Sequence, residues 1–210
     1  MDPIASKFVK GSDVQGMEDR TQAELDDLDI MEDWQIPIMQ AMAKVVTQHK
    51  GDILEIGIGT GLNIPHYPEE VHRIVTVDVI PTLNSRVQER ARKSSINVDL
   101  KIIKDENLPF DNDSFDTVLS TWTLCSIPDP RITLDEIHRV LKPGGKFLCI
   151  EHGANLKNSI RKWQNRFSYL SRTCCGGCNL NRDIRNILES SKFSKIKIEE
   201  FDLDGIGILG

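Results

Sequence analysis

From residue 51 onward, short apolar runs alternate with stretches of helical periodicity. "DILEIGI", "RIVTVDV", "VDLKIIK", "FDTVLST" and "KFLCIEHG" are rich in Val, Ile and Leu, and each is too short for a typical helix. They predict five strands. Between them, helical patterns follow Thr60, run from about Thr82 to Lys93, and run from about Pro130 to Leu141. The last is closed by "KPGG", a cation near the carbonyl end followed by residues that cannot continue a helix. Further on, the pattern predicts a helix around Ile160 to Leu170, a cysteine-rich turn, a helix capped by Asn181 and running to about Ser191, and a final strand, "KIKIEEF". Such alternation implies right-handed βαβ crossovers. The fold class is α/β, with a doubly wound, mostly parallel sheet covered on both faces.

Upstream of Gly51 the pattern changes. Residues 1–30 are polar and read as a mobile arm or a loosely docked helix. Met31, Trp34, Ile38, Met42, Val45 and Val46 recur at helical spacing and predict an amphipathic helix up to about His49. A length of 210 residues suits one full core, so the expected organisation is an N-terminal arm, 1–30, and a single domain, 31–210.

Composition narrows the function classes. The net charge of −6, with both signs interspersed, argues against a nucleic-acid surface. No apolar run approaches the roughly 20 residues of a membrane span, and the first residues lack a signal-peptide core, so a soluble cytoplasmic protein is expected. Five cysteines, two of them (Cys125 and Cys149) in apolar runs, argue against a disulfide framework.

The candidate chemistry starts at "EIGIGTG". Gly57, Gly59 and Gly61 let the chain bend sharply and approach a ligand with no Cβ in the way, and Glu55 stands just before them. The spacing is G-x-G-x-G, not the G-x-G-x-x-G of dinucleotide sites. About 20 residues on, Asp78 ends the second apolar run, where a carboxylate can accept hydrogen bonds from ribose hydroxyls. After the third run, Asp105 and Glu106 stand where one carboxylate can meet an adenine amino group while Leu108 packs on the ring.

Together these residues resemble a class I S-adenosylmethionine-dependent methyltransferase. "EIGIGTG", Asp78, "ENLPFDNDSFD" and "RVLKPGGKFLCIEHG" follow that superfamily's pattern in order over residues 51–153. Within it, "LCSIPDP", "IEHG", "WQNRF" and "GGCNLNRD" are similar to the methyltransferase type 11 and methyltransferase-like 7 group, which includes S-methyltransferases of alkyl thiols. The resemblance implies S-adenosyl-L-methionine as cofactor and a small-molecule methyl acceptor. A thiol is the first expectation; a small amine, a guanidino compound or a phospholipid head group is the alternative. An NAD oxidoreductase is opposed by the glycine spacing and the "DENLPF" loop, and a non-catalytic protein that keeps the fold for binding is the third class. The membrane-anchoring leader of the animal proteins has no counterpart here. "MEDWQIPIM" resembles a segment of guanidinoacetate methyltransferases that caps the cofactor, which would place Trp34 and Met31 against it, although core packing explains both equally well. Gln35 stands where that family has its substrate-binding Glu. The superfamily's seventh strand has no full counterpart after "KIKIEEF", so a shortened sheet edge is expected.

For the reaction itself, His152 in "EHG" is the candidate base, with a lone structural histidine as the competing reading. Thr121 and Trp122 are expected to line the cofactor and acceptor pockets. Cys175 and Cys178 have C-x-x-C spacing, but no second pair or histidine motif stands near them in the sequence, so no metal is expected. "CCGGCNLNRD" then reads as a turn bordering the acceptor pocket.

Overall fold

The computed structural model describes residues 51–79, 85–174 and 177–199. The N-terminal arm, the helix expected before His49, Trp34, Met31, Gln35 and Cys175 lie outside the described residues, as does the end of the chain beyond Glu199.

Five strands form one parallel sheet: β1 (Ile53–Ile56), β2 (Arg73–Asp78), β3 (Asn97–Ile102), β4 (Phe115–Thr121) and β5 (Leu141–Ile150), in the order β3-β2-β1-β4-β5. The chain winds outward from β1 in both directions. Its switch point therefore lies between β1 and β4, where open α/β sheets place their ligand crevice. Helices α1 (Ser85–Ser94), α2 (Pro130–Val140), α3 (Asn158–Cys174) and α4 (Ile184–Glu189) complete the described elements.

Alternation along the strands divides the apolar residues between two cores. Leu54, Ile56 and Val118 point to one face, where they meet Leu134 and Ile137 of α2 and Ile184 and Ile187 of α4. Ile53, Ile74 and Leu119 point to the other, with Val87 of α1 and with Ile64 and Tyr67. Burial on both faces explains why these strands read as near-continuous apolar runs.

Several expectations are corrected. After the glycine loop there is no α-helix, only the 3-10 turn Ile64–His66, because Pro65 and Pro68 remove donors that a longer helix needs. Helix α2 ends at Val140, before "KPGG". Leu141 already pairs opposite Phe115 while Lys146 pairs opposite Thr117, so residues 142–145 bulge from the edge strand. Lys142 serves Asp116 at 2.7 Å and Asp52 at 3.3 Å, not a helix end. Helix α4 starts at Ile184 with Asp183 as its cap, its side chain accepting from Asn186 N; Asn181 bonds Ser168 and Asn165 instead. Residues 195–199 of the expected last strand form no strand, and among the described residues the sheet stops at five. Among the described residues no helix is long and apolar enough to cross a membrane.

Candidate active site

All five strands run the same way, so their C-terminal ends share one edge, and the residues marked by the sequence collect there. Gly57 leaves β1 with its N–H on Val77 O at 2.9 Å. A Cβ on Gly57 would sit 2.6 Å from the Thr123 side chain, so the loop can pass β4 only as glycine. Gly59 differs. Its φ is +54°, and a Cβ there would meet no atom of the described residues within 4 Å. Among the described residues, nothing fills the space beside Gly59 at the switch point.

Glu55 lies beneath this loop. It is buried, with Oε1 accepting from Asn63 Nδ2 at 2.8 Å and Oε2 from the Tyr67 hydroxyl at 3.0 Å. Asn63 also donates to Thr121 Oγ1 at 3.1 Å, tying the end of β4 to the same anchor. Burial pushes the Glu55 carboxyl up to about 7, against the lowering effect of the two donors. Both of its oxygens hold the 57–67 segment in shape, a bracing geometry more than a ligand-facing one.

Asp78 stands half-buried at the end of β2 on the same edge. Asp105 is exposed and accepts from the backbone and side chain of Asn107, which hold its carboxyl below the usual range. Glu106 accepts from Asp129 N at 3.0 Å, joining this loop to the start of α2. Leu108 corrects an expectation: it is buried in the core beside Phe115, leaving no side-chain face for an adenine ring. Its loop is clamped by Arg139, which pairs with Glu136 and donates to Phe110 O and Leu108 O.

The end of β4 is shaped by a residue whose role the sequence reading missed. Glu151 Oε1 accepts from Thr123 N and Leu124 N at 2.9 Å each and from Ser120 Oγ at 3.1 Å, while Oε2 accepts from Cys125 N at 3.3 Å. The carboxylate gathers successive amides of one tight turn, as an anion does at a backbone nest. Trp122 takes a φ of +48° to enter that turn. Burial raises the Glu151 carboxyl, opposed by the Leu124 and Thr123 amides and the neighbouring His152.

Comparison with known proteins agrees with this arrangement. The family described as methyltransferase domain matches residues 54–149, from β1 through β5. The chain is 31% identical over 157 residues to thiol S-methyltransferase TMT1B of Rattus norvegicus, covering 73% of this chain and 64% of that protein. It is 27% identical over 117 residues to a phosphatidylethanolamine N-methyltransferase of Cereibacter sphaeroides, covering 55% of this chain and 57% of that one. The crystal structure of the YcgJ protein from Bacillus subtilis superposes with a TM-score of 0.59 at 23% identity, covering 72% of this chain and 64% of that one. Residues 54–149 thus match the methyltransferase domain family. The chain spans less than two thirds of the length of these relatives.

Beyond the family match, the methyltransferase domain is closed by the turn after α3. Asn179 donates through its backbone N and its side chain to Cys125 O, each at 3.0 Å, and Arg182 donates to Leu124 O and Ile127 O. "GGCNLNRD" and "LCSIPDP", two motifs far apart in sequence, are therefore one interface. Gln164 of "WQNRF", fully buried, accepts from Asn155 N and donates to Gly153 O, fixing the chain where it leaves β5. His152 Nε2 lies 3.0 Å from Cys178 Sγ, and His152 Nδ1 is buried with no hydrogen-bond partner among the described residues. The donor atoms of Cys125, His152 and Cys178 all lie within 4.8 Å of one another. The partners that Cys178 lacked in the sequence are supplied by the ends of β4 and β5, and Cys175, its C-x-x-C neighbour, lies outside the described residues.

Proposed function

We propose that this edge binds S-adenosyl-L-methionine and that the protein transfers its methyl group to a small-molecule thiol. The observation that carries the reading is the Gly57–Gly61 loop. Among the described residues the space beside Gly59 is open at the switch point, and Asp78 ends the neighbouring strand, where we assign it the ribose hydroxyls. Glu55 and Asn63 hold the loop, and Asp105 or Glu106 meets the adenine side. Trp34 remains a proposed cap on the cofactor. The thiol class is supported by the likeness to rat TMT1B, with a small amine or phospholipid head group as the alternative acceptor.

Bound there, the cofactor supplies a methyl group already activated by its sulfonium. What remains for the protein is alignment and exclusion of water, for which a well-ordered site supplies roughly 7–11 kcal/mol. Thr121 and the turn held by Glu151 form one wall, and the docked 177–182 turn forms the acceptor side. A thiol acceptor with pKa near about 8.5 is already partly ionised at neutral pH. His152 therefore serves to orient or to take up a proton at Nε2 only if its contact with Cys178 opens.

Calorimetry with S-adenosylhomocysteine and with NAD tests the cofactor. Binding of NAD alone contradicts the proposal, and a folded protein that binds neither favours a non-catalytic role. A panel of alkyl thiols, amines and phospholipid head-group analogues with labelled S-adenosylmethionine, read by mass spectrometry, then assigns the acceptor.

A further inference from the structure

Methyl transfer from a sulfonium requires no thiol of the protein, yet three elements converge to bring Cys125, His152 and Cys178 together. Cys125 comes from the turn after β4, His152 from the end of β5, and Cys178 from the turn after α3. The 3.0 Å separation of His152 Nε2 and Cys178 Sγ is a hydrogen-bond distance, shorter than the roughly 3.5 Å edge that bond lengths of 2.0–2.3 Å give a tetrahedral zinc centre. The geometry is that of a cysteine sulfur in hydrogen-bond contact with an imidazole and close to a second thiol.

We propose that Cys178 is an oxidative modification site, a thiolate that reacts with hydroperoxides and is resolved by Cys125 as an intramolecular disulfide. Cys178 is partly exposed and Cys125 is buried behind it, the usual order of an attacking and a resolving sulfur. Asn179, next to Cys178, donates two hydrogen bonds to Cys125 O, and the two Sγ atoms lie within 4.8 Å, so closing the sulfurs needs side-chain rotation more than chain movement. The charge has an assigned place. The Cys178 thiol is lowered by the Cys125 thiol, then by His152 and by Ser171 of α3, while burial opposes them. Cys125 is raised by that same contact, by burial and by the Glu151 charge. Arg182 lies within the field of both sulfurs and of Glu151.

The chemistry balances with hydrogen peroxide as oxidant. Cys178 sulfur attacks one peroxide oxygen, the O–O bond breaks, and the departing hydroxide takes a proton to leave as water, giving a sulfenic acid. Cys125 sulfur then attacks the Cys178 sulfur and the S–O bond breaks. Its thiol proton goes to the departing hydroxide, releasing a second water. The two sulfurs lose two electrons and the peroxide gains two. This inference is independent of which acceptor the methyltransferase domain uses.

The test exposes the reduced full chain to a few equivalents of hydrogen peroxide and maps the products by mass spectrometry. The tryptic peptide 173–182 holds three cysteines, Cys174, Cys175 and Cys178. The experiment is therefore run on the unsubstituted chain, with fragment-ion sequencing, and on a Cys174→Ser, Cys175→Ser background. The expected product links Cys125 to Cys178 and is reversed by dithiothreitol. In Cys125→Ser, Cys178 should stop at a dimedone-trappable sulfenic acid. At pH 6, iodoacetamide should label Cys178 at least about tenfold faster than Cys149, whose thiol desolvation pushes up to about 12, and His152→Asn should slow that labelling. Linkage through Cys174, Cys175 or Cys149, or no linked or trapped product, overturns the proposal. So does stoichiometric zinc binding that blocks peroxide, with thiolate-to-metal charge-transfer bands on cobalt substitution, since the cluster would then be a metal centre.

Discussion

Glu55→Gln is expected to make folding stability less dependent on pH, in a calculable direction. The wild-type carboxyl is buried and its folded pKa is about 7, against 4.5 for the free group. Desolvation is the leading cause. A raised folded pKa means that the folded protein holds this proton more tightly than the unfolded chain. The contribution is therefore fully present below pH 4.5 and is lost as pH rises through about 7. At about 1.4 kcal/mol per unit, the full swing is worth about 3 kcal/mol. Glutamine keeps the shape and an acceptor for Asn63, while the Tyr67 hydroxyl can turn to accept from the new amide. It has nothing to titrate. Urea unfolding of both proteins at intervals from pH 5 to pH 8, followed by circular dichroism, gives the difference in stability at each pH. The variant should gain on the wild type steadily across this range, by about 2–3 kcal/mol at pH 8 relative to pH 5. A flat difference, or one of opposite slope, would refute the assignment of a buried, proton-holding Glu55.

Three further outcomes follow from the same geometry. Gly59→Ala places a methyl in the left-handed region, which should lower stability by only about 1–2 kcal/mol, but it fills the space beside the loop and should weaken S-adenosylhomocysteine binding by more than about tenfold in calorimetry. Retained affinity in the folded variant would move the cofactor away from the loop. Asp78→Ala should weaken the same ligand by at least about tenfold, or ~1.4 kcal/mol, through loss of charge-assisted hydrogen bonds; unchanged affinity removes Asp78 from the site. Arg139→Met strips the clamp from the 108–112 loop and leaves the Glu136 carboxylate without its partner, which should cost about 1–3 kcal/mol in urea unfolding, and a change below about 0.5 kcal/mol would show the clamp to be dispensable.

Taken element by element, the chain states its own strands. Runs such as "DILEIGI" and "FDTVLST" bury side chains on both faces, so their apolar character survives as a local signal. Gly57, Gly59, Gly61 and Asp78 were legible for a similar reason, because a parallel sheet sends the C-terminal end of every strand to one edge. The helix expected after Thr60 and the strand expected at "KIKIEEF" failed where the deciding term was not local. Pro65 and Pro68 stop the first at a single turn, and residues 195–199 find no pairing partner among the described strands. Glu55 read as a ligand-facing acid only until Asn63 and Tyr67 were seen to occupy both of its oxygens.

Sequence alone thus determined the fold class, the doubly wound parallel sheet and the strand edge on which its marked residues collect, since these depend on periodicity and on glycine chemistry within short windows. Tertiary structure alone decided the partners of buried polar groups. Glu151 collects the amides of residues 123–125, Arg182 reaches the carbonyls of Leu124 and Ile127, and Cys178 meets His152 and Cys125 across 26 and 53 residues of chain. The physical reason is that a buried donor or acceptor must find its complement wherever the fold brings one, and nothing in the local pattern around either residue records that distance.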